Sequence, residues 1–353
     1  MLTVIRLGWE EKGDTKRITY ILNRALKNVE YETFCGTDEF VRALENKRWH
    51  GDRVLFAVNL SSSGLSLDCT RMISYLIENQ SALSGVTGGL IVDGKGELFT
   101  KSQARQLVFA ANMAGCTFPG KSLVEATGNL YNFNVLSKVK NIGHYEAYAQ
   151  ACEELVQKVL DFQEPKIDHP NILAVHASNS ATSNTVLLWE MVKRGIWNRA
   201  DIMEVPLRNG SVIDCSGCSY NTCVHFGEKG SCLYGGIIVE KVYPAILACD
   251  DLVLLCPNYN DAVSANITAF INRLTALFRT NDFSKKRVFA LVVSGYSGGD
   301  IVTEQIIGAM CFNKNFILPG KFALVETAND PGSILETVRI EQRAAALAER
   351  ICG

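Results

Sequence analysis

The sequence predicts an α/β protein made of two doubly wound parallel sheets in tandem. Three observations point there. Strand-like and helix-like segments alternate along the chain, as right-handed βαβ units require. The length, 353 residues, suits two domains better than one. The second half also echoes the first. Phe118-Pro119-Gly120-Lys121 stands 200 residues before Leu318-Pro319-Gly320-Lys321, and Ser66, Thr70, Ile73 and Leu76 stand 198 before Ser264, Thr268, Ile271 and Leu274.

Short apolar runs bounded by polar residues predict buried strands, and apolar residues at helical spacing predict helices. In the first half this gives strands at 2–7, 54–58, 89–92 and 122–126, with helices at 17–26, 67–77, 102–113 and 145–162. Residues 163–170, Gln-Glu-Pro-Lys-Ile-Asp-His-Pro, read as a polar linker between domains at 1–162 and 171–353. The second half gives strands at 172–177, 201–205, 252–256, 288–294 and 322–325. Its helices fall at 184–194, 240–248 (Pro244 marking a start or kink), 264–278, 301–310 and 334–351. Gly13-Asp14-Thr15 aligns with Ser183-Asn184-Thr185 at an offset of 170, so the second copy carries 198 − 170 = 28 extra residues before its third strand. A cysteine-rich insertion at 208–235 falls in that window.

Hydrophobic residues make up 47% of the chain, charged residues 20%, and the net charge is -2. That balance gives no electrostatic case for nucleic acid or an anionic membrane surface. The start lacks a basic segment followed by an apolar one, and no apolar run reaches the about 18 residues of a membrane span. A soluble, cytoplasmic protein is expected. Of the twelve cysteines, Cys116, Cys249, Cys256 and Cys311 sit singly in apolar runs, where Cys acts as a small hydrophobe. His50, His144, His169 and His176 are expected to be structural or exposed.

The stretch Asn171–Thr185 holds the chemistry. A buried strand stops at Ser178, and a run of hydroxyl and amide side chains leads into a helix with Ser183 or Asn184 as its cap. Backbone N–H groups at that helix end, helped by Ser and Thr hydroxyls, form a cradle for a phosphate. There is no Lys for a P-loop and no G-x-G-x-x-G for a dinucleotide. The first copy has Trp9, Glu10, Glu11, Lys12 and Asp14 in the corresponding place, and carboxylates there repel a phosphate dianion. Two more loops of the second copy end on the same rim: Cys256-Pro257-Asn258-Tyr259-Asn260-Asp261-Ala262-Val263-Ser264 and Ser294-Gly295-Tyr296-Ser297-Gly298-Gly299-Asp300. In an open parallel sheet ligands bind at the carboxyl ends of strands. Tyr259 offers a ring or a hydroxyl, and the glycines let backbone approach a ligand closely.

With Ser183-Asn184-Thr185, Cys256-Pro257-Asn258-Tyr259, Ser264-Ala265-Asn266, Phe270-Ile271-Asn272-Arg273, Ser294-Gly295 and Gly298-Gly299, residues 170–335 resemble the NAD(P)H-dependent FMN reductases and iron-sulfur flavoproteins of the flavodoxin-like superfamily, the WrbA-like group. The first copy resembles them degenerately. The resemblance implies two flavodoxin-like sheets of strand order 2-1-3-4-5. It implies FMN, with its phosphate at Ser178, Ser180, Thr182, Ser183, Asn184 and Thr185. The flavin ring would lie against Pro257, Asn258, Tyr259, Asn260, Ser294, Gly295, Tyr296, Gly298 and Gly299. It further implies NAD(P)H as co-substrate, a quinone, small-molecule or protein electron acceptor, and a homo-oligomer. No acid or base residue is singled out, since hydride transfer to a flavin does not require one.

Cys215, Cys218, Cys223 and Cys232 follow the pattern C-x2-C-x4-C-x8-C with glycines between. Four thiolates in so short a span suit a [4Fe–4S] cluster or zinc, or remain redox-active thiols. Iron-sulfur flavoproteins carry a tighter motif at this point of the fold. Alternatives to the reductase are a flavin and iron-sulfur electron-transfer protein without nicotinamide activity, and a zinc-stabilised non-catalytic scaffold.

Overall fold

Two five-stranded, all-parallel sheets organise the chain, one in each half. The computed structural model describes residues 1–9, 14–178 and 183–353. They form two compact units, Met1–Gln163 with Pro319–Lys321, and Glu164–Leu318 with Phe322–Gly353.

Unit 1 has strands β1 (Leu2–Leu7), β2 (Tyr31–Cys35), β3 (Arg53–Asn59), β4 (Thr87–Asp93) and β5 (Leu123–Ala126) in the order 2-1-3-4-5, the flavodoxin-like order. Its helices are α1 (Lys16–Ala25), α2 (Thr37–Glu45), α3 (Leu67–Glu78), α4 (Thr100–Met113), α5 (Asn134–Lys140) and α6 (His144–Asp161). The central strands β1, β3 and β4 are buried along almost their whole length, as in a parallel sheet covered on both faces. In α1 the buried residues Ile18, Ile21, Leu22 and Ala25 recur at helical spacing and pack with Leu155, Val156 and Val159 of α6. Helix α3 starts where the Ser66 hydroxyl accepts the Cys69 N–H at 3.1 Å.

Unit 2 repeats the plan. Strands β6 (Asn171–His176), β7 (Asp201–Pro206), β8 (Asp251–Pro257), β9 (Arg287–Ser294) and β10 (Ala323–Thr327) run in the order 7-6-8-9-10. Helices are α7 (Asn184–Ile196), α8 (Tyr220–Gly227), α9 (Tyr243–Ala248), α10 (Ala265–Arg273), α11 (Thr275–Phe278), α12 (Gly299–Ile306) and α13 (Ile340–Cys352). Helix α13 buries Ile340, Ala344, Leu347, Ala348 and Ile351 against Leu188, Trp189 and Val192 of α7. The region read as one helix at 264–278 breaks into α10 and α11, and the one at 301–310 continues past α12 as a π-helical turn at Ile307–Phe312. Strand β2, helices α2, α5 and α8 have no counterpart in the sequence reading. Among the described residues, no helix is long and apolar enough to cross a membrane.

Beneath the sheet of unit 2, Arg287 grips Asp251 through Nε and Nη2 at 2.6 and 2.7 Å, with both side chains buried, and also donates to the Ile351 carbonyl at 2.8 Å. Burial pushes the Asp251 carboxyl up to about 6, against the pull of Arg287. Removing the guanidinium leaves a buried carboxylate that must be solvated or protonated. Arg287→Met should therefore cost about 3–5 kcal/mol at pH 7 and less at pH 5, where Asp251 takes up a proton. Urea unfolding at the two pH values measures the difference.

Candidate functional site

Strand register decides which loops meet. His176 pairs with Leu255, Pro257 with Val293, and Thr327 with Ser294, so the carboxyl ends of β6, β8, β9 and β10 lie together. The strand order reverses between β6 and β8, the crevice where open α/β sheets bind ligands. A cavity of about 1200 Å³ opens there. Its wall takes Ser178, Ser183, Asn184 and Thr185 from the first loop, Pro257 to Asn266 from the second, and Gly295, Tyr296 and Ser297 from the third. Ala177, Asn209, Val293, Ala328, Asn329 and Pro331 complete it. Other cavities of unit 2 lie elsewhere, one of about 690 Å³ at the amino end of β7 beside Trp197 and one of about 530 Å³ along β7 and α9.

Asn258 anchors the wall. Its backbone N–H continues the sheet to Val293 O at 2.8 Å. Its Nδ2 donates to Ser297 O at 2.8 Å and approaches Asp261 Oδ1 and Ser294 Oγ at 3.3 and 3.4 Å. These acceptors fix the amide's orientation, and Oδ1 is left buried with no partner. Ser264 Oγ is buried and unpartnered in the same wall. Its counterpart Ser66 in unit 1 spends its hydroxyl on the α3 cap. Asn59, at the matching strand end of unit 1, likewise leaves its Oδ1 buried without a partner.

The second loop turns at Asn260 and Asp261, both at φ +54°, between Tyr259 and Ala262, which exchange backbone hydrogen bonds. Asn and Asp are the non-glycine residues that best tolerate this conformation. Gln305 of α12 braces the turn, accepting from Val263 N and donating to Asp261 O. Gly298 sits at φ +82°, and a Cβ there would meet Asp261 Oδ1 at 2.1 Å. Ser294, Gly298 and Gly299 thus stand behind the wall and support it; the other sequence-predicted ring residues line it.

At the phosphate end, Ser183 is the N-cap of α7, without a side-chain capping bond. The Asn184 side chain is fully engaged elsewhere. Its Nδ2 donates to Ala328 O and Asp330 O, and its Oδ1 accepts from Gly332 N and Ile334 N. It ties α7 to the loop after β10, so only its backbone amide, with those of Thr185 and Val186, remains for an anion. Ser180 and Thr182 lie outside the described residues. His176, half-buried just before this loop, is pulled below the usual imidazole range by burial, with Glu204 opposing.

At the matching place in unit 1 the described groups pair with one another. Gly8, at φ +75°, stands so close to Asn59 that a Cβ would lie 2.3 Å from the Asn59 carbonyl oxygen. Asp68 accepts the Gly8 and Thr37 N–H groups at 3.0 and 2.9 Å. Arg17 makes a two-pronged pair with buried Asp93, which Lys95 also reaches at 3.1 Å. Asp14 accepts from Lys16 N at the α1 terminus; Glu10, Glu11 and Lys12 lie outside the described residues.

Cys215, Cys218, Cys223 and Cys232 are unbridged thiols lining one cavity of about 180 Å³ with Tyr234, Arg273 and Arg279. Among the described residues, no three His, Cys, Asp or Glu side chains gather to hold a single metal ion. His225 lies 3.0 Å from Lys229 Nζ and does not line the cavity. By contrast Cys249 and Cys256 are buried, and burial pushes both thiols up to about 12.

Two outcomes test this geometry. Gly298→Ala should lose about 1–2 kcal/mol from the left-handed backbone alone, as read by urea unfolding. His176 binds its proton less readily folded than unfolded, so its contribution to stability is lost as pH falls below about 6.5. His176→Gln should flatten the fall in stability between pH 7 and pH 5.

Residues 170–330 match the family model described as NADPH-dependent FMN reductase. No curated protein sequence matches the chain. Three solved structures to which the chain is similar are an NAD(P)H:quinone oxidoreductase from Methanothermobacter marburgensis, RosB with a bound 8-demethyl-8-formylriboflavin-5'-phosphate intermediate, and an FMN-dependent NADH-azoreductase from Bacillus anthracis in complex with FMN. The first is 14% identical with a TM-score of 0.41, over 52% of this chain and 97% of that one. RosB is 14% identical with a TM-score of 0.41, over 51% and 76%. The azoreductase is 11% identical with a TM-score of 0.35, over 52% and 99%. The family match over 170–330 supports FMN-dependent oxidoreduction by unit 2.

Proposed function

We propose that unit 2 is an NAD(P)H-dependent FMN oxidoreductase that passes electrons to a quinone, small-molecule or protein acceptor, and that unit 1 binds no flavin. The observation that carries this reading is the cavity of about 1200 Å³ at the switch point of the sheet, walled by the loops after β6, β8 and β9, in the segment matched by the reductase family. Bound FMN would accept hydride from a nicotinamide and release electrons singly or in pairs. The chain's part is to hold and orient. The α7 amides and the Ser178 and Ser183 hydroxyls receive the phosphate. Asn258 and Ser264 meet polar edges of the ring, while Tyr259 and Tyr296, both exposed, flank the opening where a second substrate enters. In unit 1 the carboxylates of Asp68 and Asp93 at the matching place, in contact with Gly8 N and Arg17, support a single flavin per chain.

The four cysteines are read as ligands of a [4Fe–4S] cluster. Four thiols around one cavity suit thiolate chemistry. The cavity is many times the space one bare ion needs, which suits a polynuclear group better than zinc.

Protein reconstituted with FMN should bind one flavin per chain, show its visible spectrum, and bleach on anaerobic addition of NADH or NADPH. Bleaching by a reduced ferredoxin but by neither nicotinamide would instead make the chain an electron-transfer protein. Asn258→Leu should weaken FMN about tenfold, about 1.4 kcal/mol, in a fluorescence titration. An absence of bound flavin would overturn the proposal.

A further inference from the structure

The cysteine cavity of unit 2 has a cationic wall. Arg273, at the end of α10, is 2% exposed. Its Nη1 donates to Ile213 O at 3.3 Å and its Nη2 to Gly235 O at 2.7 Å, so one guanidinium holds the two carbonyls that bracket the four cysteines. Its Nε–H is buried and has no hydrogen-bond partner. Among the described residues no carboxylate stands within ion-pair distance of it, and no Asp or Glu lines the cavity. Arg279 lines the same cavity, its guanidinium 4.4 Å from the Tyr220 ring centroid. Lys314 approaches from behind, donating to Thr275 Oγ1 at 3.1 Å.

A buried guanidinium without a counter-charge is costly to keep, and an unsatisfied N–H adds to the cost. Both costs are removed if the cavity holds an anionic, sulfur-rich group. Tyr234 Oη, 3.7 Å from Cys218 Sγ, is a further polar partner for such a group.

We propose that the cavity holds a thiolate-ligated cluster of net negative charge and that Arg273 and Arg279 set its reduction potential. This rests on the cluster reading above. Adding an electron to an anionic centre is less unfavourable beside fixed positive charge, and more so in a low-dielectric surround. Hydrogen bonds to the sulfurs act in the same direction. Arg273 contributes charge and a donor. Arg279 contributes charge alone.

The full chain, reconstituted anaerobically with iron and sulfide, is titrated with redox mediators while the reduced cluster is followed by electron paramagnetic resonance. Iron, sulfide, zinc and FMN contents are measured alongside. Arg279→Met should lower the midpoint by a tenfold change in the reduced-to-oxidised ratio, 59 mV for one electron. Arg279→Lys should restore most of that shift. Arg273→Lys, which keeps the charge but moves the donor, should give a smaller lowering. Unchanged midpoints in all three variants, with clusters loaded, would overturn the role of the arginines and leave the cluster standing. A wild-type chain that takes up zinc, or no iron and sulfide, overturns the cluster reading and this inference together.

Discussion

The pocket of unit 2 depends on how one amide is held. Asn258 leaves the end of β8 still hydrogen-bonded as if in the sheet, and its Nδ2 is claimed by the loop after β9. With the nitrogen side committed, the oxygen side is fixed in place before any ligand arrives. Such pre-organisation lowers the cost of ordering a site on binding. The turn at Asn260 and Asp261, the brace from Gln305 and the bare backbone of Gly298 keep that amide from rotating away. None of the three needs to touch a ligand to matter.

The two units show how little of a binding site belongs to the fold. Both have the same strand order, and both reverse it at the same place. In unit 1 the backbone at Gly8 closes against Asn59, and carboxylates from Asp68 and Asp93 take the donors nearby. In unit 2 the equivalent serine keeps its hydroxyl unspent. Architecture supplies a crevice, and side chains decide whether it stays open.

Most of the architecture was legible because fully buried strands have an unambiguous signature. Leu252 to Cys256 and Val288 to Val293 are apolar throughout, and the sheet buries both of their faces. Strand β2 escaped notice because Tyr31-Glu32-Thr33-Phe34-Cys35 lies on an edge, where no residue is fully buried. Helix α8 was hidden by the cysteine spacing that drew attention to its segment. Within the site, residue types on the rim were readable, but directions were not. Asn184 looked like a phosphate ligand, yet its amide is saturated by the loop after β10. Ser183 looked like a helix cap, yet its side chain makes no capping bond. Only packing distinguishes these uses of the same side chains.

Helix α10 joins the two cavities of unit 2. Asn266 in its first turn lines the larger one and holds Leu207 O and Asn209, while Arg273 at its last residue lines the smaller. Seven helical steps separate them, an axial rise of about 10 Å, too short and too regular to flex. A shift at either end is carried to the other as a rigid displacement. Thermodynamic reciprocity then requires that if loading one cavity tightens the hold on the second, loading the second tightens the first by the same factor.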